Sequence, residues 1–334
     1  MGIEEQDPQK ALVRWQALVA GDRSSSRINP ATLYLANLPS EASRDTVRSV
    51  MRSLARMLGY ATQVKPGALP KAQVNPETVP WQRLDRLVVL AVRELLRQDG
   101  KSTATINLYL SVMKGIAREA VRNRQMEEHQ FLMIEQVASL RGSRLPAGRA
   151  LHVVEITKLV DHCLSAEGLA GIRDAALLGM LFGCGPRRAE VVTIDIGKIN
   201  FAERSVRVIG KGNKERELEM PERTIDLVTT WLDESGLSQG ALFRPVTRWG
   251  AIVRDRRLTP RGVYDVVTRR VKQAGLDNAS PHDLRRSFLT YLLDNEVDLS
   301  TAADLAGHAS TDTTRRYLRG QKRRNRQAAD KVDF

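Results

Sequence analysis

The chain has 334 residues, 42% of them hydrophobic, which is too many for one small core and ample for two. Its 52 Lys and Arg against 39 Asp and Glu leave a formal charge of +13, an excess that attracts a polyanion and makes nucleic acid the leading partner. Cys163 and Cys184 form neither a disulfide framework nor a spaced-pair metal site, Met1 to Asp7 is acidic and opens no secretory signal, and the longest apolar run, Ala175 to Cys184, is too short to cross a bilayer. A cytoplasmic protein is expected.

Residues 1–29 are polar, carry Arg23-Ser24-Ser25-Ser26-Arg27 near their end, and read as a flexible lead. A helix is expected over Ser43 to Leu58, where Val47, Val50, Met51, Leu54, Met57 and Leu58 recur at helical spacing and Gly59 can end it. Its opposite face carries Arg44, Arg48, Arg52 and Arg56, a stripe suited to a row of phosphates, though a solvated helix face can look the same. Lys65 to Pro80 is a Pro- and Gly-bearing connection, and Leu84 to Leu96 a more uniformly apolar helix, central to a bundle. Ser102 or Thr103 caps the next helix, which turns Ile106, Leu110, Met113, Ala117 and Val121 inward and Lys114, Arg118 and Arg122 onto another face. Residues 30–140 thus read as an all-helical module with basic faces, followed at 141–150 by a linker rich in Gly, Pro and charge.

Residues 151–334 form the second module. Helices are expected over Val154 to Leu164 and, fully buried, over Ile172 to Phe182. Three short strand-like runs follow: Ile199 to Phe201, Ser205 to Ile209 and Arg216 to Met220, with turns at Ala202 to Arg204 and Gly210 to Lys214. The fold class is mainly α with a small antiparallel β-sheet. The remainder is helical and ends in a basic tail with Arg315, Arg316, Arg319, Lys322, Arg323, Arg324 and Arg326.

Four local patterns can carry chemistry, and each alone has an ordinary explanation. Arg187 and Glu190 lie three apart and can share a helix face, as a surface ion pair does. Lys211 sits at a glycine-flanked hairpin tip, where a solvated turn lysine is also common. His282 and Arg285 follow Pro281, a residue suited to a helix's first turn. Ser300 can cap a short helix that Gly307 terminates, which projects His308 from its end; Thr311 or Asp312 then starts a helix carrying Tyr317.

Taken together, Arg187, Lys211, His282, Arg285, His308 and Tyr317 resemble, in order and spacing, the signature of the tyrosine recombinase (phage integrase) family. The more specific part is His282-x-x-Arg285, then Gly307-His308, then Tyr317 nine residues on; the loop Val208 to Arg216 is also similar to the lysine hairpin of bacterial members. The likeness covers the second module, while residues 30–140 are like the family's core-binding domain in architecture alone. Two positions depart from the pattern: Pro186 stands where an aliphatic residue is common, and Arg286 where histidine is frequent. Spacing to Glu190 favours Arg187 over Arg188 as the first arginine.

The resemblance implies that Tyr317 attacks a DNA phosphodiester and forms a 3′-phosphotyrosyl bond, releasing a 5′ hydroxyl. Arg187 and Arg285 would clamp the phosphate oxygens, His308 would add a hydrogen bond, Lys211 would protonate the leaving oxygen, and His282 would accept a proton near Tyr317. Two arginines supply the positive charge that a two-metal nuclease draws from ions, so no metal and no other cofactor is expected. Further implications are double-stranded DNA with core sites as partner, a homotetramer on two duplexes, a C-terminal tail docking on a neighbour, and residence on the bacterial nucleoid when bound. The task expected is recombination for a mobile element, by integration, transposition or resolution. The alternatives are a type IB topoisomerase and a catalytically silent DNA-binding regulator.

Overall fold

Apolar residues at helical spacing place most of the described residues in helices, and Cα packing divides the chain into two units, Met1–Leu145 and Pro146–Phe334. The structure, a computed structural model, describes residues 8–19, 28–60, 75–142, 148–210, 215–307, 311 and 314. Among these, no helix is long and apolar enough to cross a membrane.

Among the described residues of the first unit, six α-helices surround one core: α1 (Pro8–Val19), α2 (Pro30–Ala36), α3 (Glu41–Met57), α4 (Arg86–Gln98), α5 (Thr103–Arg122) and α6 (Glu128–Glu135). Side-chain caps set the starts of the three long helices after α1: Ser40 accepts from Ser43 N, Asp85 from Val88 N, and Ser102, rather than Thr103, from Thr105 N. Met51, Leu54, Val89, Val92, Met113 and Ile116 fill the interior. Trp81 is fully buried there, with its indole N–H donating to the Pro76 carbonyl at 2.7 Å.

The expected lead at 1–29 is corrected in part. Residues 8–19 are helical, because Leu12 buries itself in the core and α1 packs against α4. Residues 1–7 and 20–27 lie outside the described residues, as do positions 143–147 of the expected linker.

The second unit is built around α8 (Leu169–Gly183), which packs against α7 (Val153–Leu164), α10 (Glu222–Ser235) and α12 (Pro281–Asp294). The remaining elements are α9 (Arg188–Val191), β1 (Ile199–Asn200), β2 (Ser205–Ile209), β3 (Glu215–Glu219), α11 (Pro260–Gln273) and α13 (Leu299–Ala306). The strands form an antiparallel sheet in the order β1-β2-β3. Val206 pairs with Leu218 and Val208 with Arg216; residues directly opposite share a face, so Arg216 stands on the buried side of the sheet. Inside the unit Asp174 has no exposed surface and accepts from Arg173, from Arg270 at 2.7 Å and from Arg269 at 3.0 Å, an ion cluster that ties α8 to α11. Burial pushes the thiols of Cys163 and Cys184 up to about 12.

Candidate active site

Helix α8 stops at Gly183, and the chain turns through Gly185 at φ +60° before α9 begins. Arg187 is therefore the N-cap of α9 and Glu190 its third residue. Glu190 accepts the Arg187 backbone N–H on Oε2 at 2.7 Å and the Arg187 Nη1 on Oε1 at 2.7 Å. The expectation that the pair shares a helix face is thus corrected to a cap in which Arg187 donates twice to the Glu190 carboxylate, because the break after α8 leaves Arg187 with extended backbone. Arg188 points elsewhere and lies over the Tyr264 ring at 5.8 Å.

Glu190 is 2% exposed and takes a second arginine, Arg216, whose Nη2 donates to Oε2 at 2.9 Å. Burial works to raise its carboxyl pKa, but the backbone and guanidinium of Arg187, together with Arg216, outweigh that and hold it below the ordinary carboxylate range. Sequence reasoning did not single out Arg216 as a site residue. The signal was an arginine in phase with Leu218 and Met220 on the inward face of a strand.

Helix α12 starts as expected, with Pro281 at its first position, and Ser280 is the cap; Asp283 accepts the Ser280 N–H at 3.0 Å and hydroxyl at 2.7 Å. This sets Arg285 one turn into the helix, where it is 3% exposed and donates to the carbonyls of Gly185 at 2.5 Å and Ala306 at 2.6 Å. Helix α13 is capped by Asp298, not by Ser300: the aspartate accepts from both Ser300 N and Thr301 N, so the cap lies two residues earlier than expected. Its far end terminates at Gly307, in the left-handed region at φ +64°.

Three successive carbonyls at that end are each held by an arginine from a different element. Arg216 donates to Leu305 at 2.8 Å, Arg285 to Ala306 at 2.6 Å and Arg187 to Gly307 at 2.8 Å. Three cations thus meet the negative end of a helix dipole. A Cβ at position 307 would stand 2.6 Å from the Arg216 guanidinium, so glycine is required by space as well as by φ. With Glu190 as the buried counter-charge, the cluster keeps two positive charges in excess, and the Arg187 side chain stays 40% exposed. Such a cluster can stabilise a phosphoryl group as it gains negative charge.

His282 is exposed at the start of α12. Loss of hydration against the surrounding protein, then the charges of Arg286 and Arg285, lower its imidazole pKa against the opposing pull of Asp283. Arg286 is buried, 3.6 Å from Asp283. Lys211, His308 and Tyr317 lie outside the described residues, although Gly307 directly precedes His308. Among the described residues no group of three or more His, Cys, Asp or Glu could hold a metal ion.

In the first unit, Arg44 and Arg48 both contact Glu41, and Arg48 also contacts Asp45. Arg52 and Arg56 are exposed. On α5, Lys114 donates to the Glu135 carbonyl, Arg118 pairs with Glu135 and Arg122 with Glu119, so all three basic side chains are engaged locally.

The sequence matches the model of the phage integrase family over residues 149–324. It is 34% identical to the tyrosine recombinase XerC of Alcanivorax borkumensis over 247 residues, 71% of this chain and 76% of the relative. It is 30% identical to XerC of Corynebacterium glutamicum over 286 residues, 85% and 87% of the two chains. Among solved structures, the XerH site-specific recombinase bound to palindromic difH substrate in a post-cleavage complex covers 97% of this chain with 96% of its own, at a TM-score of 0.61 and 20% identity. These likenesses favour neither the topoisomerase nor the silent-regulator reading.

Proposed function

The chain belongs to the phage integrase family of tyrosine recombinases, enzymes that cleave and rejoin DNA, and from that premise we propose that it performs site-specific strand exchange through a phosphotyrosine at Tyr317. The observation that carries the assignment is the set of three arginines on the successive carbonyls of Leu305, Ala306 and Gly307, immediately before His308.

Tyr317 attacks the scissile phosphate, and His282, with its lowered pKa, accepts the phenolic proton. Arg187 and Arg285 neutralise the non-bridging oxygens, with His308 as a further donor. Lys211 protonates the departing 5′ oxygen. Glu190 and Arg216 touch no substrate in this scheme; they hold Arg187 and the end of α13 in place. The bond energy stays in the phosphotyrosine and returns on rejoining.

The working unit is a homotetramer on two duplexes, with the segment after Gly320 docking on a neighbour. The task is strand exchange for a mobile element by integration, transposition or resolution. The integron integrases are set apart by an additional helix, and between β3 and His282 the described chain holds α10 and α11 alone.

The assignment is tested with Tyr317→Phe on a nicked suicide substrate made from the host element's DNA. The variant should bind DNA and form no covalent adduct, and an adduct surviving in it overturns the assignment. Arg285→Ala should lose at least about a hundredfold in cleavage.

A further inference from the structure

Between α10 and α11 a hairpin rises from the segment in which Asp195 pairs with Ala241. Its base joins Val253 N to the Pro245 carbonyl at 2.9 Å, Val246 bridges Ile252, and its tip joins Thr247 N to the Ala251 carbonyl at 2.8 Å. Arg244 braces it from below, donating to the carbonyls of Ala241 at 3.1 Å, Gln239 at 2.6 Å and Arg254. The tip is therefore built and held by the fold.

What the hairpin carries is unusual among the described residues. Trp249 is 80% exposed, with the Arg248 guanidinium 4.3 Å from the ring centroid. Trp81 and Trp231, by contrast, are fully buried with their indole N–H groups bonded. Arg248, Arg254 and Arg256 are exposed, and among the described residues no carboxylate lies within ion-pair distance of them, whereas the neighbouring Arg257 is paired with Asp195.

Ring and charge together decide the class of partner. A protein-binding hot spot sets its aromatic anchor among other apolar side chains, but Val246, Ile252 and Val253 are half-buried, and the ring contact of Trp249 is with the Arg248 guanidinium, on a segment that also exposes Arg254, Asp255 and Arg256. Sequence-tolerant nucleic-acid surfaces combine cations that track the backbone with an aromatic face for a base or sugar.

We propose that the hairpin Arg244–Arg256 is a second DNA-contacting element, in which Arg248, Arg254 and Arg256 hold phosphates and Trp249 lies against a deoxyribose or an unstacked base. It rests on the reading that the chain acts on DNA, and it is distinct from the cluster of Arg187, Arg216 and Arg285 at the end of α13.

The test uses the full chain, a mixed-sequence duplex and a single strand of the same length, with affinity measured over a range of salt concentrations. The triple variant R248A/R254A/R256A should lower the slope of log K against log salt on duplex by about 2 to 3, near 0.9 for each phosphate that is no longer neutralised. Trp249→Ala should weaken single-strand binding by about tenfold, within the usual range for one stacked base. All these side chains are exposed, so circular dichroism should show the variants folded.

Unchanged affinity and slope in both variants overturn the proposal. So does normal DNA binding with loss of self-association in sedimentation, which makes the hairpin a protein contact. If the unaltered chain itself shows no salt-dependent DNA binding, the recombinase reading fails and takes the hairpin with it. If the unaltered chain binds and the Tyr317 adduct forms while the hairpin variants behave normally, the hairpin proposal alone fails.

Discussion

Arg216 reaches Glu190 from β3, its Nη2 donating to Oε2 at 2.9 Å across 26 residues of chain. The contact joins the sheet to the start of α9, and the same guanidinium goes on to the Leu305 carbonyl at the end of α13. One side chain therefore couples β3, the start of α9 and the end of α13, and Gly307 at that end directly precedes His308 in sequence.

Removing that side chain should damage both folding and chemistry. Arg216→Ala leaves buried Glu190 with Arg187 alone and frees the end of α13. Breaking one arm of such a pair should cost about 3 kcal/mol of stability in urea unfolding, and cleavage should fall by about a hundredfold, on the scale of removing one transition-state donor. Arg216→Lys should retain part of the stability, because the charge stays, and little of the cleavage, because lysine cannot serve both acceptors with a planar fork. Equal cleavage by Arg216→Lys and the unaltered chain would remove Arg216 from this positioning role.

Glu190 sets an acid limit on stability. Its folded pKa lies below the ordinary value, so its contribution is fully present above the unfolded carboxylate pKa of about 4.3 and is lost as pH falls through the lower folded value. Glu190→Gln should be less stable than the parent at neutral pH. Urea midpoints measured from pH 6 downward should show the gap narrowing below about pH 4. A gap that stays constant across this range would mean that the carboxylate is not held in its charged form.

Gly307 should not tolerate a side chain. Gly307→Ala forces a left-handed φ of +64° on a residue that disfavours it and drives a methyl to 2.6 Å from the Arg216 guanidinium. A loss of about 1 to 2 kcal/mol in stability is expected, together with a fall in adduct yield, because the next residue is His308. Thermal unfolding and the suicide-substrate assay read the two effects separately.

The pH profile of cleavage should report His282. Loss of hydration and the charge of Arg286 lower its pKa, so the neutral, proton-accepting imidazole should persist below the ordinary value of about 6.5. The acidic limb of single-turnover cleavage should therefore lie under that pH. Arg286→Gln should move the limb upward, since a neighbouring positive charge is removed. No movement of the limb in that variant would argue that another group sets it.

On the first unit, Arg52 and Arg56 should contribute more to DNA affinity than Arg44 and Arg48. The latter two are engaged with Glu41 and Asp45, whereas Arg52 and Arg56 are exposed, with the Arg56 Nε as near as 3.4 Å to the Arg52 carbonyl. Alanine at Arg52 or Arg56 should reduce the salt slope by about 1 each. A larger reduction from Arg48→Ala would reverse that order.

Much of the architecture was legible in the residues alone, because helices and strands follow local periodicity. The helix carrying Val47, Val50 and Leu54, the Ser102 cap, the three-stranded sheet and the Gly307 stop all arise from neighbours in sequence. The caps at Arg187 and Asp298 were less legible. Each depends on where the chain bends, and a bend such as that at Gly185 is governed by what packs against it: a Cβ there would meet the Phe288 ring at 2.3 Å. Leu12 was hidden in an otherwise polar lead for the same reason, since one buried leucine makes no pattern.

The sequence by itself determined the chemical inventory: the order and spacing of Arg187, Lys211, His282, Arg285, His308 and Tyr317, and the excess of positive charge. Tertiary structure alone decided that Arg187, Arg216 and Arg285 meet at three consecutive carbonyls, two of them sharing the buried Glu190 carboxylate, and that Trp249 stands in solvent while Trp81 and Trp231 do not. The physical reason is that charge and residue type are properties of the chain, whereas burial and convergence come from packing between segments that are not neighbours in sequence, from a separation of 21 for Arg285 and Ala306 to 120 for Arg187 and Gly307.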